Sequence, residues 1–165
     1  MLRFIFTDTD DKEIILSDCI DVCVNMEESV PAHDLSVTFL YCNVPELVTV
    51  TMMSETDILF TGIVDEQTRE CSVKGDFLKL HCRSMAAMLL DNESVPISYT
   101  HPSVDVILKN HVKPFSVHCD NAKDDTYFGT QTVGKGSTNW QAVEDFSKNM
   151  YHSTPCVSEL GLLYF

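Results

Sequence analysis

The chain has 165 residues, 44% of them hydrophobic and 22% charged, which is typical of one globular domain of ordinary size or of two small ones. Eleven Lys and Arg against 25 Asp and Glu give a formal net charge of −14, which disfavours a phosphate-binding surface and hence specific nucleic-acid binding. No apolar run approaches the ~18 residues of a membrane span, and the N-terminus lacks the apolar core of a signal peptide, so we expect no membrane insertion and synthesis in the cytoplasm.

Five short β-strands are predicted in the first third of the chain, because apolar and polar side chains alternate between turn-forming residues. They lie at 2–7, 13–17, 19–25, 34–41 and 47–53. The acidic segment Asp8-Thr9-Asp10-Asp11 between the first two offers carboxylates at alternate positions. It lacks the glycine and the distal glutamate of an EF-hand, so a turn is favoured over a calcium site.

Residues 58–83 predict a β-hairpin. Gly62 lies in its first strand, Gly75 lies at its bend, where positive φ is tolerated, and Arg83 ends its second strand. The polar segment 65–72 is predicted to extend the first strand into solvent or to form a loose arm. Arg83 is one of six Lys and Arg among 17 Asp and Glu in residues 1–92, so we expect it to form an ion pair with a neighbouring carboxylate.

After the hairpin the apolar period changes from two to about 3.6, which predicts a short helix with Leu89 on its apolar side, followed by Asp91. Ser84 is placed to cap this helix. Seven strands followed by one helix predict that residues 1–92 form a small β-barrel, or a sandwich, since barrel closure removes an exposed sheet edge.

The second part of the chain, residues 93–165, is predicted to be a partial α/β domain, so that the fold class is mainly β with an α+β part. The polar connector 92–100, which contains Pro96, fits a domain boundary. Ser103 caps a predicted helix that ends at Pro114, and short strands are expected near 115–119 and 127–133.

The clearest helix begins after Thr138, which with Gln141 matches a capping box. Trp140 and Phe146 lie on its apolar stripe. A final hairpin is expected to turn at Gly161 and to end inside its second strand, which suggests an incomplete domain.

Charge and cysteines leave several interpretations open. Residues 1–92 carry a net charge of −11 and residues 93–165 carry −3, so the acidity is either a solvated surface, a lining that repels nucleic acid, or a face for a basic partner. The seven cysteines show no CxxC pairing and are interpreted as buried thiols rather than as disulfides or zinc ligands: Cys19, Cys23, Cys42, Cys71, Cys82, Cys119 and Cys156.

No strong catalytic, nucleotide-binding or metal motif occurs, so we expect no catalytic residue, no cofactor and no metal. Weaker patterns are a glycine-rich loop before a helix, a His-Cys-Asp run with a separate histidine, and two carboxylate pairs: 134–137, 118–120, His101, 124–125 and 144–145. Structural interpretations are favoured for all of them. We assign structural roles to nine residues: Gly62, Gly75, Arg83, Leu89, Asp91, Pro96, Trp140, Phe146 and Gly161.

Four segments resemble, in the same order, the baseplate hub proteins of contractile-tailed phages and prophages, the group that includes the Mu-like tail protein and late control protein D. They are ILFTGIVDE (58–66), GDFLKLHCRSMAAMLLDNESVPISY (75–99), HPSVDVILKNHVKPF (101–115) and STNWQAVEDFSKNMYHSTPCVSELGLLYF (137–165). The resemblance covers nearly the whole chain and is most specific at 83–99 and 137–165.

The resemblance implies a tube-like β-barrel, an α/β domain and then a second tube-like barrel, which has no counterpart in these residues. It also implies that three copies of the full-length protein form a ring that matches a hexameric tail tube on one side and a trimeric spike on the other. The expected partners are therefore the tube and spike proteins, and the expected location is the virion baseplate.

Three functions from different classes follow. The first is a structural baseplate hub component that connects the tail tube to the spike. The alternative is a non-catalytic, acidic β-barrel module that binds a cell-wall carbohydrate or a protein partner. The third is a cell-wall hydrolase, which requires a cleft with converging carboxylates of displaced pKa.

Overall fold

The computed structural model of the chain describes residues 2–27, 30–120 and 125–165. The chain divides into two compact units, Met1–Ser84 and Met85–Phe165. The short helix that follows the hairpin therefore belongs to the second unit, whereas the sequence assigned it to the first. The domain boundary after residue 92 stays a prediction.

Among its described residues, the first unit has seven β-strands: β1 (Leu2–Asp8), β2 (Glu13–Ser17), β3 (Asp21–Asn25), β4 (Asp34–Leu40), β5 (Leu47–Ser54), β6 (Asp57–Ser72) and β7 (Gly75–Ser84). They form one antiparallel sheet in the order β2-β1-β5-β6-β7-β4-β3. All seven predicted strands are present. The segment 65–72, for which the sequence left two possibilities, continues β6.

The sheet is strongly curved, because strands that are distant in its order meet across the interior. β1 and β4 are four places apart, which in a flat sheet would separate them by about 19 Å at a strand spacing of about 4.8 Å. Yet the rings of Phe4 on β1 and Phe39 on β4 lie 5.2 Å apart, edge to face. The ring of Phe6 lies 6.3 Å from that of Phe39. The sheet therefore folds over its own inner face.

Apolar side chains fill the interior of the curved sheet. The buried members are Phe4, Phe6, Leu35, Val37, Phe39, Leu47, Val50, Met52, Phe60, Leu78, Leu80 and Cys82. On β1, β4 and β7 they come from alternate positions, as the period of two predicts. Burial of one large side chain of this kind contributes about 1.5–3 kcal/mol, so this set drives the folding of the unit.

The predicted β-barrel is found only in part. The edge strands β2 and β3 are joined by residues 18–20, and the Ile20 N–H donates to the Thr38 carbonyl at 2.7 Å. In the part of the chain that the structure describes, however, no pairing between β2 and β3 closes the sheet. Alternation predicts strands and their inward faces, but it carries no information about which edges pair, and this explains the difference.

The second unit mixes short helices and strands. Its elements are α1 (Ala87–Leu90), β8 (Ile97–Thr100), α2 (Val104–His111), a 3-10 helix (Lys113–Phe115), β9 (His118–Cys119), β10 (Thr130–Val133), α3 (Asn139–Tyr151), β11 (Cys156–Val157) and β12 (Leu162–Tyr164). β8 pairs with β10, and β12 lies between β11 and β9, parallel to β9. Among the described residues, no helix combines the length and the apolarity that crossing a bilayer requires.

Two helix starts follow the predicted capping chemistry. The Val106 N–H donates to the Ser103 Oγ at 3.4 Å at the start of α2. At α3 the Gln141 N–H donates to the Thr138 Oγ1 at 3.2 Å, and the Thr138 N–H donates to the Gln141 Oε1 at 2.9 Å. The capping box predicted from the sequence is confirmed.

Two local predictions are wrong. Ser84 does not cap α1, because its Oγ accepts a hydrogen bond from the His33 N–H at 3.1 Å and it ends β7 as a buried residue. The stretch 92–100 is not wholly a connector, since its second half forms β8. Pro96 made this stretch resemble a linker, but a proline immediately before a strand leaves the backbone donors of that strand intact.

Candidate functional site

Gly62 and Arg83 are the two predicted structural residues that the structure brings together, where β6 meets β7. A Cβ at position 62 would lie 2.1 Å from the Arg83 carbonyl oxygen and 2.8 Å from the Phe60 ring. Because a backbone atom causes the closer of these clashes, no change of side-chain rotamer can relieve it. The two strands approach this closely only because residue 62 is glycine.

The same region holds the ion pair expected for Arg83. The pairing of β6 with β7 shifts between Val64 and Glu66, so Asp65 is the additional residue of a β-bulge. Arg83 Nε donates to Asp65 Oδ2 at 2.5 Å and Arg83 Nη2 donates to Asp65 Oδ1 at 3.0 Å. The two side chains are 27% and 24% exposed. A two-point, partly shielded pair fixes the direction of the bulged residue.

Beyond the bulge, the outer part of the β6–β7 hairpin carries exposed ion pairs. Arg69 pairs with Asp76 and lies 4.1 Å from the centroid of the Tyr41 ring. Lys79 Nζ lies 2.5 Å from Glu70 Oε2. Hydrogen bonds from the Cys71 thiol and from Arg69 lower the pKa of Asp76. The arm is therefore an ordered, charged projection and not a loose one.

The tip of this arm is a two-residue turn. β6 ends at Ser72 and β7 begins at Gly75, which has a φ of +131°. Val73 at the turn is fully exposed. The positive φ expected for Gly75 is confirmed, and the turn presents an apolar side chain to solvent.

A groove of about 380 Å³ runs over the outer face of β4, β6 and β7. Six of its eight lining residues have polar or charged side chains: Ser36, Val37, Thr38, Glu66, Thr68, Lys79, Leu80 and His81. His81 Nε2 lies 3.8 Å from Asp34 Oδ1 at its side. The groove offers hydroxyl groups and charges of both signs, which suits a polar contact with another macromolecule.

The two ends of the sheet expose apolar side chains. Ile15 on β2 is 49% exposed, and Ile20 before β3 is 53% exposed. Ile15 also borders a cavity of about 390 Å³ that includes Arg3 and Glu55. A strand at a sheet edge has backbone N–H and C=O groups that can pair with another chain, so these edges are candidate assembly surfaces.

The second unit contains a buried polar cluster around His111, which is 2% exposed. The Ser94 Oγ and the Asn139 Oδ1 lie 3.1 and 3.0 Å from His111 Nδ1, and the Tyr99 hydroxyl oxygen lies 2.9 Å from Nε2. All four residues line a cavity of about 310 Å³. Burial lowers the pKa of His111.

This cluster was not predicted from the sequence. His111 follows Val104, Ile107 and Leu108 at helical spacing on the buried face of α2. A titratable residue on an otherwise apolar stripe was the one signal that pointed to it. Its partners Ser94, Tyr99 and Asn139 come from segments that only the tertiary fold brings together.

The glycine-rich loop 134–137 is occupied by groups of the chain itself. The Gly136 N–H donates to the Glu93 Oε1 at 2.8 Å. The Thr138 N–H donates to Gln141 at 2.9 Å, and the Asn139 N–H donates to the Asn92 carbonyl at 3.0 Å. These amides are the groups that would bind a phosphate, so the structure supports the structural interpretation of this loop.

The other predicted structural residues are distributed over the second unit. Leu89, Trp140 and Phe146 are buried, at 0, 2 and 0% exposure. The Asp91 N–H donates to the Ala87 carbonyl at 2.9 Å at the end of α1. Pro96 is exposed immediately before β8. Gly161 has a φ of +75° in the turn between β11 and β12.

The other weak sequence patterns contain two histidines, His101 and His118, and both are exposed. Glu144 pairs with Lys148 at 2.7 Å on α3, whereas Asp124 lies outside the described residues. In the described ranges, no group of three or more His, Cys, Asp or Glu side chains is arranged to hold a metal ion.

The prediction that all seven cysteines are buried is confirmed only for Cys82. Cys23, Cys71 and Cys156 are exposed, and Cys19, Cys42 and Cys119 are half-buried. Cys82 is buried in the core of the first unit, and burial raises the pKa of its thiol to about 12. Cys23 lies on the outward face of β3 with Asp21 and Asn25, opposite Val22 and Val24, as the alternation along the strand predicts.

Comparison with known proteins identifies the fold. No family model matches the chain, and no curated protein matches it. Among solved structures, the tail protein from Neisseria meningitidis MC58 matches with a TM-score of 0.75 and 18% identity, over 98% of this chain and 49% of that one.

Two prophage proteins match over nearly the same extent. The 43 kDa tail protein of prophage MuSo2 from Shewanella oneidensis gives a TM-score of 0.69 at 13% identity, over 98% of this chain and 53% of that one. Prophage tail protein gp18 from Listeria monocytogenes EGD-e gives 0.60 at 9%, over 97% of this chain and 49% of that one. The chain spans about half the length of these proteins and, at such identities, shares their fold.

Proposed function

We propose that the chain is a structural, non-enzymatic component of a phage or prophage tail, made in the bacterial cytoplasm and carried in the virion. The observation that carries this proposal is the fold, which matches that of a tail protein with a TM-score of 0.75 over 98% of the chain. Two prophage tail proteins support it with scores of 0.69 and 0.60.

Within the tail, we assign the chain to the baseplate hub, where it connects the tail tube to the spike. The curved sheet of the first unit is suited to a tube-like ring, since β2 and β3 present sheet edges on which Ile15 and Ile20 are exposed. Pairing or packing of these edges against neighbouring copies removes both exposed backbone and apolar surface from water. For the full-length protein the proposed assembly is a homotrimer.

The acidic net charge of the chain is compatible with a position in the baseplate hub. A net charge of −14 disfavours contact with nucleic acid and favours contact with basic faces of other proteins. The charged arm of the β6–β7 hairpin, with Val73 exposed at its tip, is a further surface for contact with tube or spike.

Light scattering at rising protein concentration tests assembly through the sheet edges. The wild-type chain is expected to exceed its monomer mass of 18.6 kDa, and Ile15→Lys is expected to return it to the monomer. Leu40→Lys is the matched control, because Leu40 is 67% exposed at the end of β4, which lies inside the sheet order. A wild-type chain that stays monomeric, or equal loss of association in both variants, contradicts the role of the edges.

A further inference from the structure

His111 holds four segments of the second unit together. Its ring contacts Ser94 in the segment before β8, Tyr99 on β8 and Asn139 at the start of α3, while His111 itself belongs to α2. Asn110, also on α2, donates from Nδ2 to the Tyr99 hydroxyl oxygen at 3.1 Å. A single imidazole is therefore the centre of the hydrogen bonds between these segments.

The partners determine which ring nitrogen carries the proton. Asn139 Nδ2 donates to the Asn92 carbonyl at 2.9 Å, which fixes the side-chain oxygen of Asn139 toward the ring. That oxygen can only accept, so His111 Nδ1 must carry the hydrogen that it receives at 3.0 Å. Nε2 is then unprotonated and accepts from the Tyr99 hydroxyl at 2.9 Å. With a neutral ring, both the His111 Nδ1 hydrogen and the Tyr99 hydroxyl hydrogen have an acceptor.

A second ring proton breaks this arrangement. With Nε2 protonated, the ring and Asn110 would both donate to the Tyr99 hydroxyl oxygen, and the Tyr99 proton would lose the acceptor it has in the cluster. The ring would also carry a positive charge at 2% exposure. Leaving a buried donor unsatisfied costs about 1–3 kcal/mol, and a buried charge costs more.

The charged groups around the ring do not compensate for that charge. Tyr99 is the titratable group on β8, and α3 presents the uncharged amide of Asn139. Glu93, which lines the same cavity, has its Oε1 engaged by the Gly136 N–H at 2.8 Å. On α2 itself, Asp105 and Lys109 are exposed.

We infer that His111 is an acid-sensitive lock of the second unit, by which we mean a residue whose hydrogen bonds hold the unit together only when its ring is neutral. The neutral ring links the segment around Ser94, β8, α2 and α3 through hydrogen bonds, and protonation of the ring breaks this arrangement.

The direction of the pH dependence follows from burial. An exposed histidine titrates near pH 6.5, and burial lowers the pKa of His111 in the folded chain. As the pH falls through about 6.5, the unfolded chain therefore binds a proton before the folded chain does. The contribution of the neutral His111 ring to the stability of the fold is fully present above that pH. Below it, the unfolding constant rises by up to about tenfold per pH unit, until the ring is also protonated in the folded chain.

Trp140 provides a readout of this unit. It is the only tryptophan of the chain, it is buried at 2% exposure, and it follows Asn139 directly. Urea unfolding of the full chain, followed by tryptophan fluorescence between pH 8 and pH 5, is expected to show the rise in the unfolding constant for the wild type. His111→Gln is expected to lose this rise, and His118→Gln, the control with an exposed histidine on β9, is expected to keep it.

The same pH dependence in His111→Gln and in the wild type overturns the inference. If His111→Gln does not fold, the ring nitrogen chemical shifts of wild-type His111 decide the question by NMR. A ring that keeps its hydrogen on Nδ1 and stays neutral below pH 6 supports the lock. A ring that titrates near pH 6.5, like an exposed histidine, contradicts it.

Discussion

Gly62 and Arg83 lie 21 positions apart in the sequence and together determine how closely the antiparallel strands β6 and β7 approach each other. The glycine permits the approach of the Arg83 carbonyl to 2.1 Å from an ideal Cβ position, and the arginine side chain ties the bulged Asp65 from the neighbouring strand. The sequence predicted a structural glycine and an ion pair here. It did not identify the acidic partner, because a β-bulge shifts the register by one residue and leaves no mark in an alternating pattern.

Gly62→Ala is expected to lower the free energy of unfolding by about 3 kcal/mol, at the upper end of the range for overpacking, because the clash involves backbone. Gly134→Ala is the control, since the nearest atom to its added Cβ is the Ser137 Oγ at 3.8 Å. Urea denaturation of both variants measures the difference. Equal stability of the two would show that the strands are free to separate at Gly62.

Arg83→Ala is expected to destabilise the chain by about 1 kcal/mol, because the pair with Asp65 is two-point and about three-quarters shielded. Lys79→Ala is expected to cost little, since Lys79 and Glu70 are 49% and 47% exposed. A double-mutant cycle of Arg83→Ala with Asp65→Ala isolates the coupling. Unchanged thermal stability of Arg83→Ala would remove Arg83 from its structural role.

At the scale of elements, local chemistry was predictable and pairing was not. The caps at Ser103 and Thr138 follow from hydrogen bonds within a few residues, which the sequence carries directly. β8 was missed because its pairing with β10 joins residues about 30 positions apart, such as Tyr99 and Gln131. The His111 cluster was missed for the same reason, since three of its members lie outside α2.

Thr138→Ala tests the capping box. Loss of the side-chain acceptor for the Gln141 N–H is expected to lower stability by about 1 kcal/mol. Thr154→Ala, at an exposed position after α3, is the matched control with an expected change close to zero. Trp140 fluorescence during urea unfolding reports both. A Thr138→Ala variant as stable as its control contradicts a role of the cap in α3.

At the scale of the whole chain, the sequence predicted a mainly β first part and a mixed second part, and the structure has both. The closed barrel was an inference from the number of strands and from the resemblance to hub proteins, and the described residues show a curved sheet with β2 and β3 as its edges. A curved sheet with open edges is a suitable unit for a ring, because neighbouring copies can supply the contacts that one copy lacks.

We propose that this chain is a structural part of a tail. Tail particles purified from cells that produce them, analysed by quantitative mass spectrometry and by electron microscopy with gold-labelled antibodies against the chain, test it most directly. We expect the chain at a fixed ratio to the other tail proteins, with the label at one end of the tail. Intact tails that contain no copies of the chain would contradict the claim.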